Sequence, residues 1–408
     1  MNALLWTTSS AVMAALLSLL AIRALHELLC INIIKDDWKS NASRLLSPAN
    51  WPWPVVFVAS LAILWLGAYV SYTAMYGEDG FFQHFWSRFT EAGDSPHYLY
   101  IAENGYARAG EEINKIVFYP LYPLLMACLG ALLGGRLELA GMIISQTCYG
   151  LSAVVLMKLA KKDCAHPGTA LCAYWLYPFG FFCLGIFTEG LFLFLTILGL
   201  YLIRIRKWVA AGIVSLLCSL TRTQGILLIL PGVYAAWQDC REKGWNWRYL
   251  ALAGSVLGFG VYLILNKIVC GDYFAFRYYE SISPWWQTTQ WLGDTIVQQR
   301  DMALKYPGLS KWIYWPQLAL YFIVAYLHFV GYHRKLETSH ILYGTAYLGM
   351  CYTASWLISG CRYLLGCVPM YLCIGQVKGR KYRYTILFIE FVSFWVYYHW
   401  YIQGQAIM

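Results

Sequence analysis

The sequence has few charged residues for its length. Asp, Glu, Lys and Arg make up only 12% of its 408 residues, whereas roughly a quarter is usual in a soluble globular protein. Hydrophobic residues account for 60% of the chain, and the mean hydropathy is +0.50. This scarcity of charge excludes a water-soluble globular protein and predicts a polytopic membrane protein.

Other patterns that would indicate different classes of protein are also absent. The 13 cysteines form no paired CxxC spacing, which favours apolar packing over a metal site or a disulfide framework. The sequence contains no nucleic-acid-binding motif, no short-period repeat and no low-complexity tract. A cleavable signal peptide is not expected, because the first apolar run lacks an early basic region and continues at membrane-span length. We therefore expect a single membrane module over residues 1–408.

Apolar runs of membrane-spanning length recur along the whole chain, which predicts an all-α fold rather than a β-barrel. We expect a bundle of about 11 to 13 transmembrane helices. The segment 116–134 is expected to lie along the membrane or to dip in and return, because it carries Pro120, Pro123 and a glycine-rich end. The twelve candidate spans are residues 8–33, 53–76, 139–160, 167–187, 189–204, 208–221, 224–238, 249–269, 313–332, 340–358, 361–377 and 384–403.

Basic residues concentrate in six clusters between the candidate spans. Together they hold 18 of the 30 Lys and Arg residues, and all six fall on one side of the membrane if 116–134 does not cross it. Cytoplasmic loops carry such an excess, so these clusters also explain the net charge of +9 without a nucleic-acid partner. The clusters are Lys35/Lys39/Arg44, Lys158/Lys161/Lys162, Arg204/Arg206/Lys207, Arg241/Lys243/Arg248, Arg334/Lys335 and Lys378/Arg380/Lys381/Arg383.

Two long loops are then expected on the opposite, exoplasmic face, over residues 77–138 and 270–312. The first holds eight of the 21 acidic residues. Long loops in a compact protein are often functional. We therefore expect the catalytic or binding residues in the loop 77–138, together with short interfacial helices.

Asp94 is the first candidate for chemistry within this loop. As a carboxylate it could accept a proton, but Asp94-Ser95-Pro96 could equally begin a helix that Asp94 caps. His97 would share a helical face with Asp94. It would then orient the aspartate, contact phosphate or help to hold a divalent ion, or it would simply be hydrogen-bonded at the membrane interface. One Asp and one His are a weak metal pattern, so no metal ligands are predicted and a divalent ion stays an open alternative.

Single charged residues at the expected exoplasmic ends of spans are the next candidates. Arg222 and Arg362 would be costly there without an anionic partner, which favours the binding of an anion over arginines that extend to the headgroups. Glu189 lies between two apolar runs and would either position an arginine or face the substrate. Lys115 is a third cation, for which simple solvation is the alternative. Asp272 follows a glycine and is expected to form a turn.

Aromatic residues are frequent on the expected exoplasmic side. Most of them are expected to form the interfacial belt or to pack in the core, and a few would contact a ligand. The residues in question are Tyr98, Tyr106, Tyr119, Tyr122, Trp285 and Trp286.

Six ordered segments between roughly residues 85 and 370 resemble the pattern of the PIG-V (GPI mannosyltransferase 2) family. The family usually has tryptophan before the loop aspartate, where this chain has Gly93. The segments are DSPHYLYIAENGY from Asp94, FYPLYPLL from Phe118, TEGLF from Thr188, TRTQG from Thr221, GDYFAF from Gly271 and CRYLL from Cys361.

The resemblance implies a membrane-embedded glycosyltransferase of the GT-C class. Such an enzyme would transfer mannose from a dolichyl or other polyprenyl phosphate to a hydroxyl of a glycolipid or glycan, on the exoplasmic or lumenal face. It would reside in a bacterial cytoplasmic membrane, which the compact length favours, or in the endoplasmic reticulum membrane of a eukaryote. The family's catalytic acidic residue corresponds to Asp94, and the expected substrate- or phosphate-binding residues are His97, Lys115, Tyr119, Glu189, Arg222, Arg362 and Tyr363.

Two alternatives remain open at the level of sequence. A multi-span transporter or flippase would also be basic and rich in aromatic residues, although no matching inverted halves are visible. A GT-C enzyme that uses another sugar would share the same residues. A lipid-linked donor would in either case need an apolar groove that opens sideways to the bilayer.

Overall fold

A computed structural model describes residues 2–29, 47–306, 308, 311–405 and 407. Within these residues the regular structure is helical, apart from an isolated bridge between Thr289 and Ala354. The α-helices are α1 (Asn2–Leu29), α2 (Trp53–Tyr76), α3 (Phe81–Thr90), α4 (Ser95–Asn104), α5 (Leu121–Leu132), α6 (Leu137–Asp163), α7 (Pro167–Trp175), α8 (Glu189–Arg204), α9 (Trp208–Ser219), α10 (Ile229–Lys243), α11 (Gly254–Cys270), α12 (Ala275–Ser281), α13 (Leu292–Lys305), α14 (Lys311–His333), α15 (Thr338–Cys351), α16 (Gly360–Tyr363), α17 (Val368–Ile374) and α18 (Arg380–Ile402).

Five segments in the described part of the chain are long and apolar enough to cross a membrane, which identifies a multi-pass membrane protein. Each corresponds to one of the predicted spans, although residues 30–33 of the span 8–33 lie outside the described residues. The segments are Asn2–Leu25 of α1, all of α2, all of α6, Trp247–Cys270, which joins a 3₁₀ turn to α11, and Trp312–His333 of α14.

The other seven predicted spans do not form long apolar helices of this kind. The span 167–187 is wrong as a single helix, because α7 ends at Trp175 and Pro178 precedes a 3₁₀ turn, Gly180–Leu184. Proline lacks a backbone N–H and disfavours helix in the residue before it. The span 361–377 is likewise divided among α16, a 3₁₀ turn and α17. The total of 11 to 13 spans stays a prediction.

The segment 116–134 is bent, as its prolines predict. A 3₁₀ helix, Glu111–Val117, meets α5 at an angle of 107°, and Pro120 lies directly before α5. With this bend the pair is either one broken span, which would raise the number of candidate spans to six, or a re-entrant loop. The segment is therefore not one straight helix, while the expectation that it lies along the membrane or dips in and returns stays a prediction.

Helices α6 and α8 pack closely because a glycine stands at their contact. A Cβ atom on Gly190 would overlap the backbone carbonyl of Ser145, so only glycine permits this approach. The Ser145 hydroxyl also donates a hydrogen bond of 2.9 Å to the carbonyl oxygen of Phe187, just before α8. These contacts fix the first turn of α8 and therefore the position of Glu189, its first residue.

Basic helix ends meet at one end of the bundle. Arg204, the last residue of α8, donates to Asp163 of α6 over 2.7 Å, and His340 of α15 lies 2.9 Å from the other oxygen of Asp163. Arg206 pairs with Asp239 of α10. These ion pairs bring the ends of four helices together.

Further contacts attach the remaining basic clusters to this end. Gln376, which follows α17, donates to the Asp163 backbone oxygen over 2.6 Å, and Arg23 of α1 donates to the carbonyl oxygens of Tyr332 and Leu336. Five of the six predicted basic clusters therefore share one end, because each lies beside these contacts. The sixth, Lys35/Lys39/Arg44, lies outside the described residues.

Candidate active site

A cavity of about 410 Å³ lies at the other end of the bundle. Helix α8 runs from one end of the bundle to the other. It begins at Glu189, beside the cavity, and its last residue, Arg204, lies at the basic end. At ~1.5 Å per residue, these ends are about 24 Å apart along the helix axis. The cavity walls come from the start of α4, the turns before α5 and after α9, the helix α12 with the residues that follow it, and the loop after α15.

Asp94 lines this cavity, and its side chain does not cap α4. It occupies the N-cap position without making a capping hydrogen bond. Instead its Oδ2 accepts a hydrogen bond of 2.6 Å from Nη2 of Arg362. The preceding Gly93 has a φ of +63°, a left-handed conformation that suits glycine and would strain a tryptophan. The capping interpretation of Asp94 is therefore wrong for this structure.

Glu189 connects the two candidate arginines behind Asp94. Its side chain is only 2% exposed, and Oε1 accepts hydrogen bonds from Nε of Arg362 at 2.5 Å and from Nη2 of Arg222. Buried charges in a membrane protein require such partners. The predicted residues Asp94, Glu189, Arg222 and Arg362 thus form one continuous network, in which the arginines do not extend toward the membrane surface.

The two arginines differ in their access to the cavity. Arg222 lines it, and Nε donates to the Thr188 hydroxyl over 2.9 Å, while Nη1 has no hydrogen bond to any residue that the structure describes. Arg362 is only 3% exposed and lies behind Asp94, between the rings of Phe182 and Phe187 at 4.6 and 4.8 Å. Only Arg222 is placed to touch a ligand directly.

Both predicted tyrosines lie on the cavity wall. The Tyr119 hydroxyl is 2.7 Å from the hydroxyl of Thr223, and its ring stacks on Tyr262 at 3.9 Å. Tyr363 faces the cavity beside Arg222, whose guanidinium carbon is 5.9 Å from the centre of the ring. These rings provide apolar surface next to the charged residues.

His97 lies one layer behind the wall rather than on it. Its ring stacks on Phe118 at 4.9 Å and meets the edge of Trp285 at 5.2 Å, and both of these residues line the cavity. Burial lowers the pKa of His97 below 6.5, although the charge of Asp94 acts in the opposite direction. Its Nδ1 atom is buried without a hydrogen bond to the described residues. His97 therefore supports the aromatic wall.

Lys115 lies apart from this group. It forms an ion pair with Glu112 one turn earlier and lies 4.2 Å from the centre of the Tyr100 ring. Neither of these partners lines the cavity. The structure thus does not bring Lys115 to the network of Asp94.

The sequence analysis missed two charged residues on α12. Arg277 and Glu280 both line the cavity, because α12 packs against the 3₁₀ helix Glu111–Val117. Their i, i+3 spacing within the second long loop was the available signal. The one acidic residue singled out in that loop, Asp272, forms the expected turn. It accepts a hydrogen bond of 3.0 Å from the backbone N–H of Phe274.

Burial changes the protonation of Glu280. It raises the pKa of this carboxyl to about 7, and the nearby charge of Arg277 offsets only part of the effect. Glu280 therefore exchanges a proton close to neutral pH. Among the described residues, no group of three or more His, Cys, Asp and Glu side chains could hold a metal ion.

Comparison with known proteins assigns no family to the chain. No family model matches it, and no curated protein matches it.

Proposed function

We propose that the protein is a membrane-embedded glycosyltransferase of the GT-C class. It transfers a mannosyl residue from a polyprenyl phosphate to a hydroxyl of a glycolipid or glycan. The observation that carries this proposal is that Asp94 and Arg222 face one cavity and are joined through Glu189 and Arg362. A carboxylate and a cation held at fixed positions are what sugar transfer from a phosphate requires.

In the proposed reaction the acceptor oxygen attacks the anomeric carbon of the donor sugar. A new C–O bond forms, and the bond between that carbon and the phosphate oxygen breaks, leaving its electron pair on the phosphate. Asp94 takes the proton of the acceptor hydroxyl. Arg222 meets the charge on the leaving phosphate through Nη1, which makes no hydrogen bond within the described part of the chain.

Glu189 and Arg362 act as positioning residues in this scheme. Arg362 holds the Asp94 carboxylate by one hydrogen bond and Glu189 by another. Glu189 in turn holds Arg222, so that acid and cation keep a fixed separation. Such fixed charges stabilise a transition state without reorganisation during the reaction.

The charge distribution supports an exoplasmic or lumenal cavity. Five basic clusters share the opposite end of the bundle, and such clusters favour the cytoplasm. In this orientation the bacterial cytoplasmic membrane, or the endoplasmic reticulum of a eukaryote, would supply the donor with its polyprenyl chain in the bilayer. The further short helices would complete a GT-C bundle of 11 to 13 spans.

Purified protein in detergent tests this proposal with radiolabelled polyprenyl phosphate mannose. We expect release of polyprenyl phosphate, and we expect Asp94→Asn to slow it about 100-fold or more, since the base is lost. Asp79→Asn is the matched control, because Asp79 is an exposed acid in the same loop, and it should retain the wild-type rate.

Two results would overturn parts of the proposal. An Asp94→Asn variant with the wild-type rate removes the assignment of the base. If the wild-type protein leaves the donor intact but moves it between the leaflets of a vesicle, the protein is a transporter. Consumption of polyprenyl phosphate glucose in place of mannose would change the sugar and keep the enzyme class.

A further inference from the structure

The cavity contains a second carboxylate that the proposed reaction leaves without a role. Glu280 stands near the end of α12, in the loop 270–312, and lines the cavity together with Asp94. Its backbone oxygen accepts a hydrogen bond of 2.7 Å from the N–H of Gln287, another residue of the wall. This hydrogen bond closes the loop between Glu280 and Gln287 and holds both residues at the cavity wall.

The Glu280 carboxylate differs from that of Asp94 in its partners. Asp94 is held by Arg362, whereas the Glu280 side chain accepts no hydrogen bond from any residue within the described part of the chain. The Glu280 carboxylate oxygens are not among the fully buried atoms, so they are open to the cavity. A ligand in the cavity can donate hydrogen bonds to them.

The groups that face Glu280 limit the chemistry of this ligand. The positive charge of Arg277, on the same helix, acts on the Glu280 carboxyl. The charge of Glu280 in turn acts on the hydroxyls of Tyr119 and of Tyr262 on α11. Trp285 adds an aromatic surface to the same wall. A wall that combines a carboxylate open to the cavity, the Gln287 side chain and aromatic rings suits a molecule with several hydroxyl groups.

We propose that Glu280 forms the acceptor subsite of the cavity, where its carboxylate accepts hydrogen bonds from the hydroxyl groups of a sugar. This inference rests on the proposed function, which it deepens: the acceptor is a glycoside, and α12 with the residues up to Thr289 binds it in the cavity that Asp94 also lines. Glu280 fixes the acceptor, and Asp94 takes the proton.

Kinetics with a defined acceptor test this assignment. With polyprenyl phosphate mannose as donor and octyl α-D-mannopyranoside as acceptor, Glu280→Gln should raise the acceptor KM about 10-fold or more, because a charge-assisted hydrogen bond is lost. The donor KM, and the slow hydrolysis of the donor by water, should stay at wild-type values. Glu103→Gln is the matched control, since Glu103 is an exposed acid of α4.

Two kinetic outcomes would contradict the acceptor subsite. An unchanged acceptor KM in Glu280→Gln would show that the carboxylate does not touch the acceptor. An equal loss of transfer and of donor hydrolysis would show that Glu280 acts on the donor or on folding. If the wild-type protein consumes no donor at all, the proposed function fails, and labelling then tests the subsite separately.

Labelling of Glu280 needs no turnover. Dicyclohexylcarbodiimide modifies protonated carboxyl groups in apolar surroundings, and a Glu280 carboxyl with a pKa of about 7 is protonated at pH 6. We expect modification at Glu280, located by peptide mass mapping, and at least fivefold protection by octyl glycosides of mannose, glucose or N-acetylglucosamine. A sugar-free octyl polyoxyethylene detergent is the control. Equal modification with and without all three glycosides would overturn the proposal.

Discussion

Asp94, Glu189 and Glu280 are acidic residues around one cavity, and each has a different environment. Glu189 is almost fully enclosed by two arginines, Asp94 is held by one arginine and is 28% exposed, and Glu280 faces the cavity without a hydrogen-bond donor from the described residues. These differences determine what each carboxylate can do. An enclosed acid positions other groups, while an acid that faces the cavity can exchange a proton with a ligand.

Glu280 makes the stability of the protein depend on pH. Burial raises its pKa from 4.5 to about 7, so the folded protein binds this proton more tightly than the unfolded chain does. The corresponding stability is complete below pH 4.5 and is lost as pH rises through about 7. Glu280→Gln has no charge to bury. Its unfolding temperature should therefore exceed the wild-type value at pH 8, with a smaller difference at pH 5.

Thermal unfolding in detergent, followed by intrinsic fluorescence, measures this difference. Glu103→Gln should follow the wild-type protein at both pH values, because Glu103 is exposed. Equal unfolding temperatures of Glu280→Gln and the wild-type protein at pH 8 would show that the carboxylate is well solvated.

Arg362 is expected to matter for stability as well as for activity. Arg362→Gln leaves Glu189 with one arginine and Asp94 without its partner. Removal of one member of a buried ion pair costs about 3 kcal/mol or more in the free energy of unfolding. We expect a lower unfolding temperature and slower transfer. Arg108→Gln is the control, since it removes an exposed arginine outside the network and the cavity wall and should keep the unfolding temperature.

A substitution of Arg222 tests donor binding separately from the structural role of the network. Arg222→Lys keeps the charge next to Glu189 but loses the planar guanidinium, whose Nη1 makes no hydrogen bond to the residues that the structure describes. We expect the donor KM to rise about 10-fold, by loss of a charge-assisted hydrogen bond. The acceptor KM should change little. A raised acceptor KM with an unchanged donor KM would show that Arg222 contacts the acceptor and would contradict its role in donor binding.

At the scale of elements, the contact between α6 and α8 sets the position of the network. Gly190→Ala would force a Cβ against the Ser145 carbonyl and cost about 1 to 3 kcal/mol. It should also reduce transfer, because Glu189 is the adjacent residue. Gly260→Ala in α11 is the matched control, since its added Cβ would meet no atom of another described element within 4 Å, and it should leave both the unfolding temperature and transfer intact.

A Gly190→Ala variant with wild-type stability and transfer would mean that the first turn of α8 is not fixed by this contact. Chemical denaturation measures the stability of this variant, and the transfer assay measures its activity. A loss of transfer at full stability would instead locate the effect in the geometry of Glu189 alone.

The elements also show what the sequence could and could not predict. Long uninterrupted apolar runs such as 53–76 gave correct helices, because hydropathy and length suffice there. The break at Pro120 was predictable from its proline and glycine residues, but the equivalent break at Pro178 was missed within an apolar run. A window of hydropathy measures how apolar a segment is and does not detect where its axis bends.

The sequence did not predict which distant charged residues pair with each other, and the reason is different. The cost of a charge at the end of an apolar helix singled out Glu189, Arg222 and Arg362 one by one. Their mutual hydrogen bonds depend on how α8, α9 and α16 pack, which a single sequence does not encode in any local pattern. Glu280 was missed because its environment arises only when α12 folds against Glu111–Val117.

At the scale of the whole molecule, the charge distribution defines two ends. Basic residues and their partners, such as Arg204 with Asp163, gather at one end, and the cavity with Asp94 lies at the other. The two ends of α8 are about 24 Å apart, which is most of the thickness of a bilayer core. The account depends on this polarity, because a lipid-linked donor on the exoplasmic face can enter only a cavity on that face.

Labelling of engineered cysteines in intact cells tests this orientation most directly. Glu103→Cys lies in the exposed part of α4 near the cavity, and Lys243→Cys lies at the basic end of α10. A membrane-impermeant maleimide, with each site identified by peptide mass mapping against the native cysteines, should modify position 103 in intact cells and position 243 only after permeabilisation. Modification of position 243 in intact cells, with position 103 protected, would place the cavity in the cytoplasm and contradict the account.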